Sequence, residues 1–146
     1  MASAWFNRGK QQVLSGSTSL LSDTIKVMLV TSSYTFDADH NFVSEVVANE
    51  VSVIGYTGGF AGAGRKALAN KSVTEDDTND LAYFDADDLT WTGLATGATV
   101  GGAILVKEVT NDAASQLLVF MDLADTPTNG GDITLAWNAS GIVRLT

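Results

Sequence analysis

The chain has no cysteine, one proline, one histidine and only eight lysines and arginines in 146 residues. Without cysteine there is no disulfide, no thiolate metal ligand and no cysteine nucleophile. With His40 alone, a two-histidine metal pair is excluded, and any serine triad has to run through that residue. No serine occupies a Gly-x-Ser-x-Gly elbow. Seventeen acidic side chains against eight basic ones give a formal charge of -9, the wrong sign for displacing counterions from nucleic-acid phosphates. Apolar runs reach only about five residues, too short to span a bilayer, and no charged-then-apolar leader opens the sequence. The near-absence of proline excludes a proline-rich linker, and 45% hydrophobic content argues against disorder. These readings together give one soluble domain with no membrane or nucleic-acid partner, no cofactor and no catalytic site.

Glycine is plentiful, and it gathers in residues 55–66, Gly-Tyr-Thr-Gly-Gly-Phe-Ala-Gly-Ala-Gly-Arg-Lys. A phosphate loop needs Gly-x4-Gly-Lys-Ser/Thr, the lysine for the phosphates and the hydroxyl for magnesium. Counted from Gly59, the chain has Gly64 and then Arg65-Lys66-Ala67, and Lys66 to Val73 reads as a strand where a helix should begin. The stretch is therefore expected to be a flexible or extended connection between strands.

The aspartates cluster at Asp37/Asp39, Asp76/Asp77/Asp80 and Asp85/Asp87/Asp88. Asp and Asn favour turns because their side chains bond the local backbone. Calcium is the alternative. However, an EF-hand-like loop from Asp37 puts Phe42 where glycine must turn and Ala48 where a bidentate glutamate belongs.

Strand patterns recur at Ile25–Thr31, Lys66–Val73, Leu81–Phe84, Leu89–Thr92, Val100–Val109, Gln116–Leu123, Ile133–Trp137 and Ile142–Leu145. Ile133, Leu135 and Trp137 alternate onto one face, whereas Val27-Met28-Leu29-Val30 and Ile104-Leu105-Val106 are apolar on both and belong at a sheet centre. Turn signals at 110–112, 129–132 and 138–141 separate the runs at the spacing of a sandwich or barrel. The expected fold is all-β: a single-domain antiparallel β-sandwich, jelly-roll or Ig-like, over residues 17–146, preceded by an N-terminal arm over 1–16. Short helices are expected at Asn7–Leu14, stopped by Gly16, and at Asp39–Ala48.

Trp5, Phe6, Arg8 and Lys10 put two aromatics and two cations in the arm of an acidic chain. That composition suits docking on an acidic or apolar neighbour, and the alternative is an arm folded back on its own sheet. Trp91 and Trp137 share faces with aliphatics, as core tryptophans do, while Tyr34, Tyr56 and Phe60 lie in polar or glycine-rich loops and are candidates for contact. A carbohydrate-binding module would use such aromatics on an exposed face.

The segments Trp5-Phe6-Asn7-Arg8-Gly9-Lys10, Asp23 to Val30, Tyr34-Thr35-Phe36-Asp37, Gly55 to Phe60, Phe84 to Trp91 and Gly130 to Asn138 span nearly the whole chain. Through them it resembles a family of small structural proteins encoded by tailed bacteriophages. The resemblance implies a capsid cement or decoration protein on the outer surface of the virion, with the major capsid protein as partner and a homotrimer as the assembly. A head–tail connector, tail or fibre-adaptor component is the alternative role. No catalytic residues follow from the resemblance. In the cement role Trp5, Phe6, Arg8 and Lys10 anchor the arm, and Tyr56, Phe60 and Arg65 of the glycine-rich loop contact the capsid or a sister subunit.

Overall fold

The runs that are apolar on both faces sit where that pattern requires, at the centre of the largest sheet. In the computed structural model, which describes residues 2–146, these runs lie in strands β2 (Ile25–Thr31) and β7 (Thr99–Lys107). Ahead of β2 come β1 (Ala2–Trp5) and helix α1 (Asn7–Leu14). Between β2 and β7 lie β3 (Lys66–Ala67), β4 (Ser72–Asp76), β5 (Leu81–Asp85) and β6 (Leu89–Trp91). After β7 come β8 (Gln116–Pro127), β9 (Ile133–Leu135) and β10 (Val143–Leu145). Five strands pair in the order β1-β8-β7-β2-β3, three in the order β10-β5-β4, and β6 pairs with β9. Every pairing is antiparallel.

The main sheet is buried on both sides. On one face Ile25, Val27, Leu29, Leu105 and Met121 pack with Phe84 and Val143 of the three-stranded sheet and with Trp91 and Leu135 of the two-stranded one. On the other, Met28, Val30, Ile104, Val106 and Leu117 pack with Phe6, Val43 and Val46, and Tyr34 and Phe36 close the edge. A register shift lets Leu105 pair with Val119 and Val106 with Leu117, leaving Leu118 as an extra residue. This bulge turns Leu118 and Val119 into the same core. Each fully buried leucine, such as Leu105, contributes about 1.5–3 kcal/mol by removal from water. The chain is an all-β domain with antiparallel sheets and one α-helix.

Two expectations change, and one open alternative is decided. Lys66–Val73 is not one strand, because Asn70 takes a positive φ of 50° and the chain passes from the main sheet into the three-stranded one. Asp39–Ala48 forms two separate 3-10 turns, Val43–Glu45 and Val47–Asn49, rather than a helix. Glu45 fixes the first by accepting the N–H groups of Asn41 and Phe42 at 2.7 Å each. Of the two readings of the arm, the structure has the one folded back on its own sheet: β1 pairs with β8 from Ala2↔Asp122 to Trp5↔Val119, and α1 packs on the same strand. Met1, the remaining arm residue at that end, lies outside the described residues.

Candidate protein-contact surface

Helix α1 is seated by its backbone rather than by a capping side chain. Phe6 at its start is extended and offers no cap, but its N–H donates to Leu118 O at 3.1 Å and the N–H of Asn7 to Ala38 O at 2.9 Å. Gly9 faces β8 so closely that a Cβ there would stand 2.3 Å from Leu118 O. Only glycine allows this approach. The rest of the helix leaves Lys10 and Leu14 exposed beside half-buried Val13 and Trp5.

The three-stranded sheet overhangs this corner. Its register sets Val73, Phe84 and Val143 in one row and Glu75, Ala82 and Leu145 in the next on the same face. Phe84 and Val143 are buried in the core, whereas Val73 and Leu145 stay 53% and 62% exposed. The result is an apolar recess of about 310 Å³ lined by Trp5, Val13, Leu20, Leu21, Val73 and Leu145 among others. A second, of about 220 Å³, shares Trp5, Val13 and Leu145 and adds Lys10 and Leu14. Leu14 is 86% exposed and Leu21 50%, so four of the seven large hydrophobic side chains exposed among the described residues gather here. Single exposed leucines are ordinary, but a contiguous patch marks a contact surface.

The residues expected to make contacts divide sharply. Trp5 lines both recesses, Lys10 stands at the edge of one with only Asn7 Oδ1 3.3 Å from its Nζ, and Phe60 is 41% exposed at the tip of the glycine-rich loop. Arg8 is half-buried with its guanidinium 5.1 Å from the centre of the Phe42 ring. Phe6, Tyr56 and Arg65 are interior and unavailable to a partner. Trp91, which a sugar site would also need exposed, is buried with its indole N–H on Gly64 O at 2.6 Å.

The glycine-rich stretch is not a flexible connection. It wraps a buried ion cluster. Arg65 donates through Nε and Nη2 to Glu50 at 2.8 and 2.7 Å, and through Nη1 and Nη2 to Asp112 at 2.5 and 3.2 Å. Glu108 Oε2 lies 3.7 Å from Nη1, and Lys26 binds Glu108 Oε1 at 2.5 Å. Burial alone would lower the Arg65 pKa, but the hydrogen bonds it donates to Glu50 and Asp112 outweigh it and raise it, so the group stays charged. The Tyr56 hydroxyl donates to Glu50 at 3.1 Å and accepts the Leu29 N–H at 3.0 Å, and burial raises its pKa. Gly59 N–H completes the Glu50 carboxylate at 3.0 Å. A Cβ on Gly62 would meet the carbonyl oxygens of Thr57 and Gly58 at 2.3 Å, which explains a glycine in this tight coil. Two cations face three carboxylates in this largely enclosed cluster, and its chemistry is to hold the loop.

The acidic clusters serve both their own turns and distant segments: Asp39 accepts the Asn7 side-chain amide at 2.8 Å, Asp87 that of Asn70 at 2.7 Å, and Asp88 the N–H of Trp137 at 2.8 Å. Asp37 accepts the N–H of Asp39, and Asp76 those of Thr78 and Asn79. Among the described residues no three acidic, histidine or cysteine side chains are placed to hold a metal ion, and no helix is long and apolar enough to cross a membrane. His40 bonds the Tyr34 hydroxyl at 3.2 Å through Nδ1. Tyr34 belongs to an aromatic group in which Phe36 stacks on Phe120 at 5.4 Å, and burial pushes its pKa up to about 12.

Sequence reasoning missed Leu14, Leu21, Val73 and Leu145 as a surface, and Glu50, Glu108 and Asp112 as the partners of Arg65. The only local signal for the first group was aliphatic residues beside Ser- and Gly-rich positions at 14–22. No family model, curated protein or solved structure matched the chain.

Proposed function

We propose that the chain is a structural protein of a tailed-bacteriophage virion, a cement or decoration protein that binds the outer capsid surface and braces neighbouring capsomers. The observation that carries the proposal is the apolar corner where Leu14, Leu21, Val73 and Leu145 surround two recesses on a doubly covered sheet. A rigid framework with a concentrated apolar contact suits a protein that works by being bound rather than by turning over a substrate. Many copies on a shell gain by multivalency, so each contact is allowed to be modest. The partner in this reading is the major capsid protein, and three copies of the chain meet at a threefold position. The resemblance of the sequence to small phage structural proteins supports the same assignment.

Gold-labelled antibody against the chain, applied to purified virions, tests it. Label over the head is the expected result. Label confined to the neck or tail transfers the assignment to a connector or tail component, and virions without the chain overturn it.

A further inference from the structure

We propose that β1 is a docking edge, to which another protein adds an extended segment as a sixth strand of the main sheet. This deepens the assembly reading and rests on it. In an antiparallel pair, alternate residues turn both backbone groups toward the neighbour. The Phe6 N–H bonds Leu118 O, so the alternation turns Ala2 and Ala4 toward β8 and leaves Ser3 and Trp5 with N–H and C=O facing outward. Among the described residues nothing bonds those outward groups.

The edge strand itself is also unguarded, although Arg144 and the loop before it border a small recess with Ser3. Natural edges are usually blunted by charge, proline or a bulge. Ala2-Ser3-Ala4-Trp5 has none of these. The edge at β4, by comparison, carries Glu75 and Asp76, and β3 is only two residues long.

Recesses flank β1 on both faces of the sheet. On one lie the two that Trp5 lines with Val13 and Leu145. On the other, Ala2, Ser3 and Ala4 border a recess of about 380 Å³ with Tyr34, Phe36 and Phe120. A strand sends successive side chains to opposite faces, so one added strand fills both sides at once. Charge sets the occupant further. Helix α1 carries Arg8 and Lys10 and no acid, and Lys10 stands at the Trp5 end, while Asp122 borders the recess at the Ala2 end. The occupant is therefore an extended segment with apolar side chains, an acidic residue toward Lys10 and a basic or hydroxyl residue toward Asp122.

The test selects binders to the full chain from a displayed library of random twelve-residue peptides and measures them on two variants. Ser3→Pro removes an outward N–H and leaves the β1–β8 ladder whole, which an unchanged melting temperature verifies. Leu145→Asp charges the apolar corner without touching the edge. The expected outcome is peptides with a short run of successive apolar residues, alternate ones for each face, and an acid near one end, weakened at least tenfold by either substitution. Peptides with helical spacing, no enriched peptide, or binding that Leu145→Asp abolishes and Ser3→Pro leaves intact would each overturn strand addition. Concentration-dependent dimers that Ser3→Pro dissolves would overturn it in favour of a second copy of the chain. The two readings fail separately. Heads that still bind the Ser3→Pro variant keep the cement role and remove the edge, whereas edge-dependent peptide binding with no chain in the virion does the reverse.

Discussion

Replacing Arg65 by methionine isolates the ion cluster from the packing around it, because methionine retains most of the aliphatic stem and removes only the cation. The side chains of Arg65, Glu50 and Glu108 are 0%, 5% and 8% exposed, and that of Asp112 is 20%. Without the guanidinium, buried Glu50 loses its ion-pair partner, and Glu108 retains Lys26. Removing one partner of a buried pair costs about 3–5 kcal/mol, mostly for the charge left behind. That is a large share of the roughly 5–15 kcal/mol that stabilises a typical domain. With an unfolding entropy of about 2.1 cal/mol/K per residue, each kcal/mol lowers the midpoint of a chain this size by about 3 °C, so the expected fall is roughly 10–15 °C.

Urea titration followed by tryptophan fluorescence measures the loss directly, with an unchanged slope as the control that only stability moved. Arg65→Lys keeps the charge but cannot make two forked pairs, so it should fall between the wild type and methionine. Glu50→Leu added to Arg65→Met removes a stranded charge, and the double variant should be more stable than the sum of the two single losses predicts. A loss below about 1 kcal/mol for Arg65→Met, a value usual for exposed pairs, would refute the claim that this cluster organises the loop.

Gly9→Ala should destabilise the chain by about 1–3 kcal/mol although alanine is the better helix former, because the added carbon falls 2.3 Å from Leu118 O; thermal melts decide between the two effects. Phe60→Ala should change stability by less than about 1 kcal/mol, since the ring sits at an exposed loop tip, so that any loss of head binding by this variant reports a contact rather than unfolding. Stability should also fall at high pH. Tyr34 holds its proton to about 12 in the folded chain against 10 when free, so its contribution is whole below pH 10 and drains away between 10 and 12 as the unfolded chain ionises first. Tyr34→Phe should flatten that alkaline limb in a pH series of urea midpoints. On the acid side Glu45, held low by the Phe42 and Asn41 N–H groups, and Asp23, held low by Lys107 and the Ser19 N–H, contribute above the usual carboxylate range and lose that contribution as pH drops through it.

The sheet centre was legible because burial on both faces leaves a trace in the sequence. Val27 to Val30 and Ile104 to Val106 have no polar face, and only the middle of a covered sheet accepts that. The helix at Asn7–Leu14 was legible in extent but not in placement. Nothing in Gly9 announces that it meets Leu118, more than a hundred residues later. The break after Ala67 was hidden because Lys66 to Val73 keeps a plausible strand composition, and the turn depends on a left-handed Asn70. At Asp39–Ala48 the apolar residues have helical spacing, but they serve as a lid on the main sheet, and two tight turns bring Val43 and Val46 onto it without a full helix.

The contact residues show why one loop misleads. Aromatic and charged side chains among glycines read as an exposed loop, since that composition resists burial unless every charge is answered. Here each is answered from outside the loop: Arg65 by Glu50 and Asp112, the Tyr56 hydroxyl by Glu50 and the Leu29 N–H. The glycines that suggested flexibility let the backbone close over those partners, as the 2.3 Å approach at Gly62 requires. Lys10 stays exposed and Trp5 half-exposed because the arm forms an edge strand and a helix whose outer sides no described residue covers. The surface that remains to be satisfied is therefore the β1 edge with its flanking recesses, and the glycine-rich loop contributes Phe60 alone.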